Sequence, residues 1–390
     1  MGFRKRSRDE HFANDGQPKR ILALDGGGLR GIFTMGLLQN IEALLRDRHG
    51  GDPAFRLCDY FDLIAGTSTG AIIAAALAIG WKADDIKVQY DTLGKKVFES
   101  DLLSGWGVLR AKYDESKLIA ELKNIYGDKT LLGGPELHTG LMIVTKRIDS
   151  GSPWPIGNNP RGKYFVDRPN GVIGNGAYPL WQVVRASTAA PTFFDSQAIT
   201  IATAAGKKDV TGEFIDGGVS PFNNPSLQAL MYATLDGYRI GWPTGADRLM
   251  LVSLGTGMAD PVVKHSAIAV KHGIGALGNL MEDSAVLQET LLQWVSASPT
   301  ARVFDREIGD LKNDLLAPAP LITYLRYNAQ FTREGMHDLD PALADNTKRL
   351  EDLSKMDVPE NMPTLHRLGT LLAARDIKTE HFPSRFDLSA

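Results

Sequence analysis

Residues 21–24, Ile21-Leu22-Ala23-Leu24, are an unbroken apolar run closed by Asp25 and three glycines, which predicts a short buried strand entering a tight turn. Beyond the turn, Ile32, Met35, Leu38, Ile41, Leu44 and Leu45 recur at three- and four-residue intervals, so residues 32–46 read as a helix. The succession then repeats: residues 61–65 are a second apolar strand and residues 70–80 a helix of small residues. Strand, glycine turn and helix occurring twice is how a parallel sheet layered with helices reads. Residues 141–145 and 249–254 supply further all-apolar strands, the latter ending in Gly255-Thr256-Gly257. From about residue 264 the pattern turns helical, with Leu277, Leu280, Met281, Ser284, Leu287, Leu291 and Trp294 on one face of a long helix. Residues 321–331 look extended, and 341–356 and 362–376 look like two amphipathic helices.

Two stretches depart from this periodicity. Residues 1–18 carry Arg4, Lys5, Arg6 and Arg8 with no apolar run after them, so they are not a secretory signal. They read as a flexible basic tail, solvated or touching an anionic phosphate surface. In residues 151–180, Gly, Pro and Asn make up half of the positions, mixed with Trp154, Tyr164, Phe165 and Tyr178. That is a long irregular excursion, either a lid or binding loop or a variable surface insertion.

Composition narrows the class. With 390 residues, 43% of them hydrophobic, the chain has ample material for a buried core. A formal net charge of -3 argues against a general nucleic-acid binder. The single cysteine, Cys58, excludes an intrachain disulfide and a multi-cysteine zinc site, which suits a cytoplasmic protein. Among Leu57, Tyr60 and Phe61 it reads as a small buried apolar residue. The most apolar run, residues 71–79, is far shorter than the ~20 residues a bilayer demands.

Three glycine-framed motifs carry chemistry. Gly66-Thr67-Ser68-Thr69-Gly70 follows a strand and opens a helix, a placement that exposes the Ser68 hydroxyl on a tight turn. The helix start behind it offers free N–H groups to developing negative charge, although a plain helix-capping serine would sit there too. Asp25-Gly26-Gly27-Gly28-Leu29-Arg30-Gly31 gathers backbone N–H groups at one point, a nest for an oxyanion with the Arg30 charge nearby. The same glycines satisfy G-x-G-x-x-G, so a dinucleotide-dependent oxidoreductase using Gly26 to Gly31, with Glu42 or Asp47 on the ribose, is a second reading. Such an enzyme gives no reason for a second glycine-framed elbow at Ser68. In Asp216-Gly217-Gly218 the glycines leave the carboxylate uncrowded, as a general base or as an ordinary turn aspartate. A Ser-Asp-His esterase is available through His265, His272 or His337, none of which sits at a glycine-framed strand end. No His/Asp/Glu set shows metal-ligand spacing, and no cofactor is called for.

In this order, DGGGxRG, GxSxG and DGG resemble the patatin-like phospholipase family. Residues 186–194 (ASTAAPTFF), Asn223-Asn224-Pro225 and Ser253-Leu254-Gly255-Thr256-Gly257 match further family segments, so the resemblance covers about residues 19–260. It implies an α/β fold, a three-layer α/β/α sandwich, as a catalytic domain over 19–260. Residues 261–390 would be a helical carboxyl-terminal part packed on it. It further implies Ser68 as nucleophile, Asp216 as base, and Gly26, Gly27, Gly28 and Arg30 as the oxyanion loop, with Gly31, Gly66, Gly70, Gly217 and Gly218 supporting them. A dyad without histidine needs a carboxylate made basic by desolvation, so Asp216 is expected to be largely buried. The substrate class implied is membrane phospholipid, attacked from the cytoplasm at the membrane surface. The helical end, with Leu325-Arg326-Tyr327-Asn328, looks like soluble bacterial members, some of them antiphage effectors switched by cyclic di- or oligonucleotides. That adds such a nucleotide as an expected activator and a homo-oligomer as a compatible state.

Overall fold

The computed structural model of the protein describes residues 3–98, 113–191, 193–203, 208–259 and 269–389. The described strands are β1 (Lys19–Leu24), β2 (Leu63–Thr67), β3 (Gly140–Arg147), β4 (Pro153–Gly157), β5 (Gln197–Ala202), β6 (Val210–Asp216), β7 (Leu249–Leu254), β8 (Ser296–Ala297) and β9 (Ile322–Tyr327). They form one sheet in the order β5-β6-β3-β2-β1-β7-β9-β8, with β4 alongside β3. The run from β3 to β8 is parallel, whereas β4 and β6 lie antiparallel to β3, and β5 to β6. Strands β1, β2 and β7 are buried at every position, which is why they read as unbroken apolar runs.

Alternate residues of β1 point to opposite faces. Leu22 and Leu24 enter one core with Phe33, Ile64 and Leu365, while Ile21 and Ala23 enter a second with Val144, Tyr232 and Tyr324. The described helices are α1 (Arg8–Phe12), α2 (Gly31–Arg48), α3 (Leu57–Tyr60), α4 (Thr69–Ala78), α5 (Ala83–Phe98), α6 (Glu115–Tyr126), α7 (Leu180–Ser187), α8 (Ser226–Thr234), α9 (Ala269–Trp294), α10 (Arg333–His337), α11 (Pro341–Ala344), α12 (Thr347–Leu353) and α13 (Met362–Asp376). Helices α2, α4, α5 and α13 cover the first core, and α8 with the end of α9 covers the second. The result is the expected three-layer α/β/α sandwich. None of the described helices is long and apolar enough to cross a membrane. Leu24 pairs with Gly66 and with Leu254, so β1, β2 and β7 end level and deliver their three following turns to one edge.

Three expectations need correction. The amino-terminal segment is not a flexible tail: Ser7 caps α1 in a capping box, and Arg6 and His11 lie 2.7 and 2.9 Å from the fully buried Asp62. The part after residue 260 is not only helical, because β9 hydrogen-bonds to β7 inside the main sheet. Residues 341–356 form two short helices, since Asn346 accepts from Arg349 N and starts α12 afresh. The apolar face of α9 does not all turn inward. Gln288, Glu289 and Gln293 are buried on their partners, whereas Leu280 and Leu287 are 62% and 60% exposed. The side chain of Leu277 lies outside the described residues. Residues 151–180 begin as β4, and Arg161 donates to Phe12 O at 2.7 Å and Asn159 to Tyr238 O at 2.8 Å, so this stretch is anchored. Cys58 is buried, and burial pushes its thiol up to about 12.

Candidate active site

Strand β2 ends at Thr67 and the chain turns into α4 through Ser68, whose φ of 54° and ψ of -124° lie outside the ordinary regions. A non-glycine residue held this way costs roughly 1–3 kcal/mol, so the surroundings must impose it. The Ser68 N–H donates to Ser187 Oγ at 2.8 Å, and Ser187 Oγ in turn donates to Val144 O at 2.6 Å. A Cβ at Gly70 would lie 2.7 Å from Asp25 O, so only glycine lets the elbow approach the β1 turn so closely.

From this turn Ser68 Oγ donates to Asp216 Oδ2 at 2.6 Å. Asp216 ends β6, is 5% exposed, and accepts Gly218 N–H on Oδ1 at 2.7 Å. Burial pushes its carboxyl up to about 6 from the ordinary 3.8, against the opposing pull of the Ser68 and Gly218 hydrogen bonds and the Arg185 charge. Residues 186–194 bridge the pair, since Asp216 N donates to Ala189 O at 3.0 Å while Ser187 holds Ser68; Thr192 of this stretch lies outside the described residues.

The glycine loop after β1 lies against this dyad, a Cβ on Gly26 falling 3.1 Å from Ser68 Cβ. The three expected donors are not equivalent. Gly26 N–H is taken by Asn223 O at 3.0 Å, which removes it from the oxyanion role expected of it. Among the described residues, Gly27 and Gly28 N–H have no acceptor. The loop's carbonyls are all engaged: Gly26 O accepts from Thr256 Oγ1 at 3.1 Å, Gly27 O from Arg30 N at 3.1 Å, and Gly28 O from Tyr90 Oη at 2.5 Å. With Gly28 at φ +57°, these bonds leave two adjacent N–H groups open. Arg30 is 3% exposed and its guanidinium makes no hydrogen bond among the described residues. Burial lowers its pKa, opposed by Glu282 and Asp25. Gly31, opening α2, packs on Thr69 and Tyr90, and Gly217 packs on the Val144 carbonyl.

The carboxylates and histidines particular to the two competing readings lie away from the dyad wherever they are described. Glu42 is buried and accepts Ala83 N–H at 2.9 Å at the start of α5, while the exposed Asp47 pairs with Arg46, so neither carboxylate serves the glycine loop. His337 is exposed and bonded to Asp338 at 2.7 Å. His265 and the side chain of His272 lie outside the described residues. Among the described residues no imidazole bonds Ser68 or Asp216, and no group of three His, Cys, Asp or Glu could hold a metal ion. Ser187, Asn223 and Thr256 lie inside the family-like segments 186–194, 223–225 and 253–257, which assign them no individual role, and Tyr90 and Met356 carry no local sequence signal.

The sequence model of the patatin-like phospholipases matches residues 22–230, which contain Ser68, Asp216 and the glycine loop. The chain is 34% identical over 220 residues to a "cUMP-AMP-activated phospholipase" of Escherichia coli, covering 55% of this chain and 59% of that one. It is 30% identical over 232 residues to a "cGAMP-activated phospholipase" of Vibrio cholerae, covering 57% and 58%. "Patatin-like protein 4" of Arabidopsis thaliana is 29% identical over 288 residues, 67% of each chain. The match thus spans a little under three fifths of the length of the two bacterial relatives. With a family match over more than half of its residues, this chain belongs to the patatin-like phospholipase family.

Proposed function

We propose that this protein is a lipid acyl hydrolase, phospholipase A-like, cleaving fatty-acyl esters of membrane phospholipids through Ser68 and Asp216. The observation that carries the proposal is the 2.6 Å hydrogen bond from Ser68 Oγ to a carboxylate whose burial raises its pKa to about 6. Ser68 Oγ attacks the ester carbonyl as Asp216 takes its proton, and the open Gly27 and Gly28 N–H groups receive the oxyanion. Collapse expels the lysolipid alkoxide, which takes the proton back from Asp216 and leaves an acyl-enzyme. Water attacks this ester with Asp216 again as base, releasing the fatty acid and restoring Ser68. Arg30 adds positive charge beside the loop.

The enzyme acts peripherally at a membrane. Exposed Leu280 and Leu287 support this, because the intervening Met281 lies beside Gly218 of the dyad loop (3.3 Å from a Cβ built there). Its activity is switched on by a cyclic di- or oligonucleotide, a reading supported by the names of the two bacterial relatives. One experiment tests both layers: product analysis on phospholipid vesicles, with and without a panel of cyclic nucleotides, for wild type and Ser68→Ala. Free fatty acid from wild type alone, with a fluorophosphonate label on Ser68, is expected. Equal turnover by Ser68→Ala refutes the mechanism, and full activity unchanged by every nucleotide refutes the switch.

A further inference from the structure

Three consecutive glycines have more backbone freedom than any other tripeptide, and a loop that presents two N–H groups to one oxygen needs anchors. Several of those anchors come from beyond residue 230, outside the part of the chain matched by the family model. Thr256 Oγ1 holds Gly26 O, and Met356 O accepts Leu29 N–H at 2.7 Å. The most ordered anchor is on β9. Arg326 Nη1 donates to Asp25 Oδ1 at 3.0 Å and Nη2 to Asp25 Oδ2 at 2.6 Å, a two-point fork on the residue that opens the glycine loop. Both side chains are buried, 5% and 6% exposed. Nη1 also donates to Ser253 Oγ at 2.8 Å, which Ser226 Oγ–H meets at 2.7 Å, so the fork is itself fixed by β7 and α8.

We propose that Arg326 is a positioning residue for acyl transfer: through Asp25 it fixes the direction in which the chain leaves β1, and so aims the Gly27 and Gly28 N–H groups. It touches no reacting atom. Its partner just past the end of β1 is held by backbone as well, since Asp25 N donates to Leu254 O at 3.0 Å; rotation about the remaining Asp25 bonds is what the fork removes. A lysine would keep the charge and lose the second point of attachment. The proposal rests on the acyl-hydrolase reading, because an oxyanion loop matters only if an oxyanion forms.

The test separates aim from stability. Arg326→Met alone leaves a buried, unpaired carboxylate and destabilises the fold, whereas Asp25→Asn with Arg326→Met removes both charges together and recovers the melting temperature. The double variant is assayed against wild type, Arg326→Lys and Ser68→Ala on a soluble monomeric ester, with amide hydrogen exchange of residues 25–30 measured in parallel. Donors that serve the transition state affect turnover rather than substrate affinity. The stable double variant should therefore lose about tenfold or more in kcat with KM within about twofold, with Arg326→Lys intermediate. Exchange at Gly26, Leu29 and Arg30 should quicken by about tenfold while the rest of the sheet stays protected. Wild-type kcat in a double variant of restored melting temperature overturns the proposal and leaves the pair a purely structural one. If wild type and Ser68→Ala are equally inactive on every ester with each cyclic nucleotide of the panel present, the acyl-hydrolase reading has failed instead, and unchanged exchange at residues 25–30 then overturns the positioning role on its own.

Discussion

Replacing Asp216 by Asn should make the protein more stable while abolishing its activity. The carboxyl titrates at about 6 in the fold against 3.8 as its ordinary value, because a group 5% exposed has lost its hydration. A shift of roughly two units at 1.36 kcal/mol each means that keeping Asp216 ionised costs the fold about 3 kcal/mol. Between pH 3.8 and 6 native Asp216 binds a proton that the unfolded chain does not, so its contribution to stability falls as pH rises through that window. Below 3.8 the penalty is absent, and above 6 it is complete. An asparagine avoids it without orphaning its neighbours: Oδ1 can accept the Gly218 N–H, and Nδ2 can donate to Ser68 Oγ. The expected outcome is a melting temperature several degrees above wild type at pH 8, shrinking to no difference near pH 4. Activity should fall as far as in Ser68→Ala, because nucleophile and base work as a unit. In wild type the same titration should appear as an acid limb in kcat/KM near pH 6, with about a tenth of the plateau rate left at pH 5. Scanning calorimetry and a pH–rate profile on a soluble ester read both. An acid limb near pH 4, or an Asn variant no more stable at pH 8, would refute the claim that desolvation makes this carboxylate a base.

Ser187→Ala should destabilise the fold by about 1–3 kcal/mol and lower kcat, since it strips the acceptor from Ser68 N–H and the donor from Val144 O; unchanged kcat would show that the elbow holds itself. Leu280→Ser with Leu287→Ser should weaken vesicle binding and vesicle hydrolysis by about tenfold or more while leaving soluble-ester turnover and melting temperature alone. Undiminished co-sedimentation with vesicles, or a change of oligomeric state in its place, would exclude α9 as the lipid-facing element.

Sequence reasoning succeeded where an arrangement is encoded by neighbours along the chain. Ser68 and Asp216 each sit in their own glycine frame, and β1, β2 and β7 are unbroken apolar runs because a doubly covered parallel sheet demands them. It failed where a partner arrives through the fold. Arg6 looks like a solvated charge until Asp62, beyond the next helix pair, is brought to it. The leucine stripe of α9 gives no sign that the neighbouring Gln288, Glu289 and Gln293 turn inward to meet Pro221 O, Arg302 and Asp310 O. Gly26 looks like an oxyanion donor until the Asn223 carbonyl takes its N–H.

The departures from local preference also have a pattern. Ser68 has a positive φ, Asp216 is ionised only against its burial, and Arg30 is buried without a hydrogen bond among the described residues. Each is unfavourable by itself, and all three lie around the same strand ends. Asp62 is the contrast, where Arg6, Arg20 and His11 converge and hold the carboxyl well below its ordinary range despite complete burial. A fold that satisfies a deeply buried carboxylate in one place and leaves another basic and half-answered is not constrained by a shortage of partners. On the proposed mechanism the difference lies in what the second carboxylate does: a carboxylate held by two guanidinium groups and an imidazole cannot take a proton from a serine, and Asp216, with one N–H and one hydroxyl, can.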